Sequence, residues 1–436
     1  MTVVFSPHKM TGTITVPPSK SYSHRALICA ALSKGTSHIY NIIYSDDIKA
    51  TISALIALGA KIDCMENYCI VQGIATPPES VVIDCGESGS TYRFMLPICA
   101  ALGVKTTFLG KGKLPSRPIT PYIEEFSKNE IKFDFKDDNM PIISGKLQGN
   151  TYCLKGDISS QFFTGLFLAL PLITKKFNDN EYTVILDGEL ESRPYVNMTI
   201  NVLKHFGITV SEHYDNQNNQ IKWVVSANDK YKNCDYTIEG DFSQAAFFAV
   251  AGAINSEMKI KGLPETSAQG DREILNIVQK CGAAVEYLNG VHIIKPPNGK
   301  LKPFEINVSD IPDLVPILAV LATFCDGVSK ITGAARLRIK ESDRLTAISD
   351  VINKLGGNVT EQSDGLIIKG VELLKGGTVD SYNDHRIAMS AAILATKCET
   401  SVTLTNAKTV EKSYPNFYET IGVVSRNERL RSNRSK

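Results

Sequence analysis

An apolar, helix-like stretch that ends in glycine and runs directly into a short strand-like run recurs along this chain, and no other feature limits its possible folds as strongly. It reads Ala57-Leu58-Gly59-Ala60, His205-Phe206-Gly207-Ile208, Lys280-Cys281-Gly282-Ala283 and Lys354-Leu355-Gly356-Gly357. A glycine in that place is the expected left-handed residue just past a helix end. Gly207, Gly282 and Gly356 are spaced about 75 residues apart, and Gly59 precedes Gly207 by about twice that, which leaves room for one more copy. Glu125-Phe126-Ser127-Lys128 before Ile131-Lys132-Phe133 sits near that midpoint without the glycine, and Thr420-Ile421-Gly422-Val423 is a degenerate sixth candidate. Units of roughly seventy residues are too long for solenoid repeats and too short for ordinary independent domains. The rhythm predicts six α/β supersecondary units, grouped by threes into two domains.

The polar chemistry gathers where helices begin. Lys340-Glu341-Ser342-Asp343-Arg344 and Asn383-Asp384-His385-Arg386 pack cations and carboxylates tightly at two such places. After the first, Leu345, Ile348, Ile352 and Leu355 recur at helical spacing and predict a buried stripe, with Glu341 and Arg344 three apart on another face. Cations beside an acid at a helix's positive end suit an anionic ligand undergoing proton transfer; read alone, either segment is more simply a salt-bridged helix start. Pro17-Pro18-Ser19-Lys20-Ser21 opens a helix on which Ser21 and Arg25 lie four apart, so Lys20, Ser21 and Arg25 could hold one phosphate. Gly86-Glu87-Ser88-Gly89-Ser90-Thr91-Tyr92-Arg93 opens another, where Gly89 lets a ligand approach the backbone. Ser159-Ser160-Gln161 opens a third; each could also be a plain N-cap. Arg117 adds a loop cation, and Ser192-Arg193-Pro194-Tyr195 a hydroxyl, a cation and a ring. Asp313, in Ile311-Pro312-Asp313, could equally cap a buried helix. His385 reads as structural.

Charge and composition exclude several function classes. With 47 basic against 46 acidic residues in 436, the chain has no global field for nucleic acid or an anionic membrane, so any basic site is local and its ligands are small anions. The ten cysteines are scattered without a Cys-x-x-Cys pair, as expected of reduced core thiols in a cytoplasmic protein. The start of the chain lacks a signal-peptide apolar core, and runs such as Phe162 to Leu170 fall short of a bilayer span. Ser425 to Lys436 reads as a solvated basic tail. There is no phosphate-binding Gly-x-x-x-x-Gly-Lys-Ser/Thr loop, no Gly-x-Gly-x-x-Gly fingerprint, no metal-spaced His/Cys set and no Gly-x-Ser-x-Gly elbow. Lys, Arg, hydroxyls and helix ends are left to handle phosphate, with no metal and no cofactor expected.

In order along the chain, Pro18-Ser19-Lys20-Ser21 through Arg25, Gly89-Ser90-Thr91 with Arg93, Arg117-Pro118-Ile119, Ser159-Ser160-Gln161, Ser192-Arg193-Pro194-Tyr195, Glu239-Gly240-Asp241, Gln269-Gly270-Asp271, Ile311-Pro312-Asp313, Lys340 to Arg344, Asn383 to Arg386 and Lys412 resemble the 5-enolpyruvylshikimate-3-phosphate (EPSP) synthase family of enolpyruvyl transferases. The resemblance spans nearly the whole chain. It implies a two-domain inside-out α/β barrel, six βαβαββ-type units, three per domain: residues 19–239 as one domain, residues 1–18 with 240–436 as the other, and the active site in the interdomain cleft. It implies transfer of the enolpyruvyl group of phosphoenolpyruvate to the 5-hydroxyl of shikimate 3-phosphate through a tetrahedral ketal, in a cytoplasmic monomer that is a glyphosate target.

By the same resemblance, Lys20, Ser21, Arg25, Ser159, Ser160, Gln161, Ser192, Tyr195, Asp313 and Lys340 line the shikimate 3-phosphate site. Lys20, Gly89, Arg117, Gln161, Glu341, Arg344, Arg386 and Lys412 face phosphoenolpyruvate. Asp313 is expected as base, Glu341 as acid, and Lys20 as the aid to the leaving phosphate. Two departures stand out: Arg336 where one branch of the family carries Asn, and Glu87-Ser88-Gly89-Ser90 where that branch reads Asn-Ala-Gly-Thr. The alternatives are a UDP-N-acetylglucosamine enolpyruvyl transferase, which generally uses a cysteine in the loop that here reads Gly110 to Arg117 without one, and a non-catalytic anion-binding protein of the same fold.

Overall fold

The computed structural model describes residues 1–135, 139–173 and 180–425, so the basic tail beyond Ser425 lies outside the described residues. The chain forms two compact units, one of Pro18–Ile238 and one of Met1–Pro17 with the chain from Glu239 onward. Pro18–Ile238 contains helices α1 (Lys20–Leu32), α2 (Asp46–Ala57), α3 (Gly89–Leu102), α4 (Thr120–Phe126), α5 (Gln161–Ala169) and α6 (Arg193–His205). The other unit contains α7 (Phe242–Ile254), α8 (Glu273–Lys280), α9 (Val315–Thr323), α10 (Arg344–Lys354), α11 (His385–Leu394) and α12 (Phe417–Val424). Among the described residues no helix is long and apolar enough to cross a membrane.

Odd- and even-numbered helices differ because their sequences do. Every residue of α7, α9 and α11 is buried, and α1, α3 and α5 are buried along nearly their whole length. A helix apolar all round has no face to offer water and must be enclosed. The even-numbered helices are amphipathic and pack outside: in α10, Leu345, Ile348 and Ile352, with Leu355 just beyond, form the expected buried stripe. The inner helices approach closely where side chains shrink. At Gly165 in α5, an added Cβ would lie 2.4 Å from both the Arg93 carbonyl of α3 and the Tyr122 hydroxyl, which itself donates to the Arg93 and Phe162 carbonyls.

Inner helices α3, α5, α9 and α11 each connect two parallel strands of one sheet, and outer helices α2, α4, α6, α8 and α10 each lead into an antiparallel hairpin. Ser80–Asp84 pairs parallel with Lys105–Leu109 across α3, and the hairpin Lys132–Phe135/Pro141–Ser144 follows α4. Two other sheets repeat this within continuous chain: Thr151–Lys155, Glu181–Asp187, Gln220–Ser226, Val210–Asp215, and Glu305–Asn307, Val328–Thr332, Gly365–Lys369, Val359–Gln362. In two more the first strand is supplied from far along the chain: Tyr236–Thr237 pairs with Thr36–Tyr40, and Gly12–Thr15 with Met258–Lys261. The sixth, among the described residues, has three strands, with Val3–Phe5 antiparallel to Val402–Thr405 in the place a hairpin strand takes elsewhere.

The glycine rhythm marks the end of the outer helices. Gly59, Gly207, Gly282 and Gly356 all have positive φ, from 82° to 105°. In the second copy Glu130 takes that conformation at φ 64°, three residues later than the Glu125–Ser127 segment suggested. The sixth candidate is corrected: Gly422 lies inside α12, whose end runs on extended through Ser425. A non-glycine residue in the left-handed region costs roughly 1–2 kcal/mol. Gly282→Ala, where only the Pro297 Cβ lies within 4 Å of an added methyl, should therefore destabilise the protein by about 1 kcal/mol through strain alone. Glu130→Gly should be neutral or stabilising by up to about 1 kcal/mol. Urea unfolding of both variants checks the pair, and equal losses in the two would contradict the assignment.

Candidate functional site

In the unit Pro18–Ile238, polar residues cluster at the N-termini of the three inner helices. Ser19 caps α1 by accepting from the Tyr22 N–H at 3.4 Å, and Lys20 is the helix's first residue. The Lys20 ammonium meets the Asp47 carboxylate, in the first turn of α2, at 2.7 Å. Arg25 is buried and spends most of its guanidinium on the protein: Nε donates to Thr199 Oγ1 (2.8 Å), Nη1 to the Ser21 carbonyl (2.7 Å), and Nη2 to Thr164 Oγ1 (3.2 Å) and the Tyr195 carbonyl (3.1 Å). That leaves one of its five N–H groups for a ligand. Burial lowers its pKa to about 10, so it stays charged at neutral pH. It ties α1 to α5 and to the start of α6, where Ser192 holds a left-handed backbone (φ 56°).

A second group forms where α3 meets α5. Gly89 is the first residue of α3, and an added Cβ there would lie 2.8 Å from Arg117 Nη1 and 3.8 Å from Gln161 Oε1. Gln161 donates to Ser90 Oγ at 3.0 Å and accepts from Arg93 Nη1 at 2.8 Å, while its backbone N–H donates to Ser159 Oγ at 3.3 Å. Gly89, Arg117, Gln161 and Ser159 thus come together, with Arg93 as a cation to which the sequence reading gave no role. Its place one turn into a helix that opens with glycine was the available signal. Asp47 was missed too, although an acid in a first helical turn is an ordinary helix-start signal. Behind this group runs a neutral chain: His24 Nδ1 lies 2.7 Å from Thr51 Oγ1, which lies 2.7 Å from Thr91 Oγ1, which donates to Ser88 Oγ at 2.8 Å. Burial pushes His24 down to about 3, so the chain carries no charge.

The unit from Glu239 onward builds its cluster from carboxylates and guanidiniums. Asp384 caps α11, accepting from the Arg386 N–H at 2.9 Å, and is fully buried. Arg344, 2% exposed, donates from Nε to Asp384 Oδ2 (2.8 Å), from Nη1 to Asp313 Oδ1 (2.9 Å) and from Nη2 to Glu341 Oε2 (2.8 Å). Arg386 Nη2 reaches the other Asp313 oxygen at 2.9 Å. Asp313 lies in the 3-10 turn Pro312–Leu314 before α9, and its side chain takes two guanidiniums rather than a backbone cap. Burial alone would raise the Asp313 pKa, but Arg386 and Arg344 overcome it and hold the carboxyl well below the usual range. Arg344 rises above its ordinary value because Asp384, Glu341 and Asp313 outweigh its desolvation. Lys340 moves the other way, pulled down to about 8 by burial against the attraction of Asp313. Lys412 ends the 3-10 turn Ala407–Lys412, which packs on α11, and Arg336 donates to the Ser309 carbonyl.

Each unit therefore gathers cations where inner helices present their N–H ends, an arrangement that attracts oxyanions. In one unit they sit among hydroxyls and an amide, and in the other among carboxylates able to move protons.

Residues 4–421 match the family model of EPSP synthase (3-phosphoshikimate 1-carboxyvinyltransferase). The chain is 43% identical over 424 residues to a 3-phosphoshikimate 1-carboxyvinyltransferase of Clostridium novyi, covering 95% of each, and 41% identical over 426 residues to one of Clostridioides difficile, again covering 95% of each. Among solved structures it is similar to an EPSP synthase from Acinetobacter baumannii (TM-score 0.79, 24% identity, 97% and 98% of the two chains covered). It is also similar in fold to the enolpyruvyl transferase NikO from Streptomyces tendae (TM-score 0.73, 14% identity, 97% of each chain covered).

Removing Arg344 would take a guanidinium partner from Asp384, Asp313 and Glu341 at once and leave the fully buried Asp384 without its counter-ion, so Arg344→Ala should cost about 3–5 kcal/mol. Arg338→Ala, whose bridges to Asp343 and Glu361 are about one-third exposed, should cost no more than about 1 kcal/mol. Asp313 and Asp384 both have depressed values in the folded chain. The stability they supply is present above the unfolded pKa of about 4 and is lost as pH falls through the folded values. Urea titrations at pH 7 and below pH 4 should show the wild type losing stability with acid more steeply than Arg344→Ala; parallel curves would refute this electrostatic account.

Proposed function

The chain belongs to the EPSP synthase family, and from that premise we propose how its side chains share the reaction. It transfers the enolpyruvyl group of phosphoenolpyruvate to the 5-hydroxyl of shikimate 3-phosphate by addition and then elimination through a tetrahedral ketal, releasing inorganic phosphate and 5-enolpyruvylshikimate 3-phosphate. The match over residues 4–421 carries this reading. We read the enzyme as a cytoplasmic monomer that needs no cofactor.

In our reading, shikimate 3-phosphate is held by Lys20, Ser21, Arg25, Ser159, Ser160, Gln161, Ser192, Tyr195 and Lys340, with Asp313 at its reacting hydroxyl. Phosphoenolpyruvate is held by Lys20, Gly89, Arg117, Gln161, Glu341, Arg344, Arg386 and Lys412. Arg93, bonded to Gln161, joins that set. Planar guanidiniums suit both the carboxylate and the phosphate because they bind bidentately. Addition needs a base at the 5-hydroxyl and an acid at the methylene carbon; Asp313 takes the first role and Glu341 the second, with Lys20 assisting the departing phosphate.

The ion pairs add a condition to this assignment. Asp313 is held by Arg344 and Arg386, the guanidiniums assigned to phosphoenolpyruvate, and a carboxylate so strongly stabilised is a poor base. The incoming carboxylate competes for those N–H groups. As it draws them away, Asp313 loses its counter-charge and its basicity returns toward the ordinary range. Binding of the donor thereby switches on the base.

Phosphate release from phosphoenolpyruvate should require shikimate 3-phosphate and not occur with UDP-N-acetylglucosamine. Asp313→Asn and Glu341→Gln should each lower kcat about a hundred- to ten-thousand-fold. Asp313→Asn should bind phosphoenolpyruvate at least as tightly as wild type, and weaker binding would refute the competition. Gly89→Ala forces Arg117 to shift, because its Cβ meets Nη1 at 2.8 Å; it should raise the KM for phosphoenolpyruvate and reduce glyphosate inhibition more. Equal glyphosate inhibition of the variant and the wild type would rule out that steric account.

A further inference from the structure

Gln269-Gly270-Asp271 is a motif to which the reaction assigns no role, yet it leads to a further buried carboxyl in the unit from Glu239 onward. Asp271 is 3% exposed. Its environment differs from those of Asp313 and Asp384, which receive guanidinium N–H groups. Asp271 Oδ2 is bonded to the Ser243 hydroxyl in the first turn of α7, and Oδ1 is buried without a hydrogen-bond partner. Gln269 fixes the loop that carries it: its Oε1 accepts from the Phe242 N–H at 3.1 Å and its Nε2 donates to the Gly240 carbonyl at 2.8 Å. A buried carboxylate with one neutral donor is costly, whereas a protonated carboxyl keeps the same bond, because the Ser243 hydroxyl can accept as well as donate.

The turn that carries Asp271, Gly270–Arg272, packs on α7, and α7 packs in turn on α11, which carries Arg386, and on the turn that carries Asp313, so the charges that act on Asp271 belong to the cluster already described. Asp313 and Asp241 oppose its ionisation, while Arg386 favours it; the N-terminus of α7 favours it as well. Burial together with Asp313 outweighs the favourable contributions and raises the carboxyl to about 7.

We propose that Asp271 is a positioning residue for the donor anion: carrying a proton, it leaves the charge of Arg386 available to phosphoenolpyruvate, and on ionising it sets a second negative charge against that guanidinium. The inference rests on the assignment of Arg386 to phosphoenolpyruvate. It makes Asp271 a control on anion affinity that touches neither substrate nor reacting atoms. Asp271→Asn mimics the protonated carboxyl in shape and keeps an oxygen for Ser243.

The test is the KM for phosphoenolpyruvate of wild type and Asp271→Asn from pH 6 to 8.5 at saturating shikimate 3-phosphate. The donor's own phosphate titrates in this range, but identically for both proteins, so it cancels in the ratio. The ratio of wild-type to variant KM should stay near one at pH 6 and rise about three- to tenfold by pH 8.5, with kcat changing far less. A ratio flat with pH, or a variant equally impaired at every pH, would overturn the proposal.

Thermal unfolding supplies a readout apart from activity. The raised pKa means that this carboxyl's contribution to folding is fully present below its unfolded value near 4 and is lost as pH rises through about 7. The Tm advantage of Asp271→Asn over wild type should therefore grow between pH 4 and 7 and level off above. Should the variant not fold, 13C NMR of the wild-type carboxyls must show one aspartate still protonated at pH 6, and its absence overturns the proposal. If neither protein turns over phosphoenolpyruvate with shikimate 3-phosphate, the functional assignment is what fails, and the Tm and NMR titrations still decide the state of Asp271.

Discussion

Enclosure of three helices that have no polar face is the constraint on which each unit depends. The sequences of α7, α9 and α11 leave no side on which water is acceptable, so three outer helices and the sheets must cover them. Burial along their length leaves chemistry only at their ends. Their N-termini carry N–H groups that lack intrahelical partners, and the residues placed there are caps, hydroxyls and cations. The same packing that makes the core thus prepares the ground for binding anions.

The two units use that ground differently. Around α1, α3 and α5, charge is kept sparse: the chain from His24 through Thr51 and Thr91 to Ser88 is neutral, and Arg25 is held by hydroxyls and carbonyls rather than by a carboxylate. A cation satisfied by neutral acceptors keeps its net charge and can attract a phosphate at short range. Around α9, α10 and α11, the guanidiniums are instead neutralised by Asp313, Glu341 and Asp384. Internal ion pairs of this kind add little net stability, because desolvation offsets most of the attraction, but breaking one is expensive. That arrangement underlies the proposal that an arriving anion exchanges partners with Asp313 before proton transfer.

Burial that outweighs the nearby opposite charges gives the remaining ionisable groups their altered behaviour. His24, Lys340 and Asp271 are all shifted toward their neutral forms, each with desolvation as the largest cause. Asp384 is as deeply set as His24, and Asp313 is more exposed, but both have guanidinium partners and shift toward the charged form. Between Asp271 and Asp384, both buried, the difference lies in the partner, a serine hydroxyl for one and a guanidinium for the other, and it separates a carboxyl that holds a proton from one that holds an arginine.

Local sequence alone determined much of this. Apolar runs such as Phe162 to Leu170 and the stripe through Leu345, Ile348, Ile352 and Leu355 dictate enclosed and amphipathic helices, because periodicity is a property of neighbouring residues. Gly59, Gly207, Gly282 and Gly356 announce the helix ends because few other residues adopt positive φ cheaply. The ordered motifs were enough to indicate the family and its reaction. Only the tertiary structure decided that Tyr236–Thr237 closes a sheet with Thr36–Tyr40, that Gly12–Thr15 joins Met258–Lys261, and that Glu130 stands in for a glycine. It alone decided, too, that Arg25 is largely consumed within the protein, that Arg93 bonds Gln161 and Asp47 pairs with Lys20, and that the turn carrying Asp271 packs on α7 beside the elements that carry Asp313 and Arg386. Pairing partners, hydrogen-bond competition and desolvation depend on residues far apart in the chain, and those are fixed by packing rather than by local pattern.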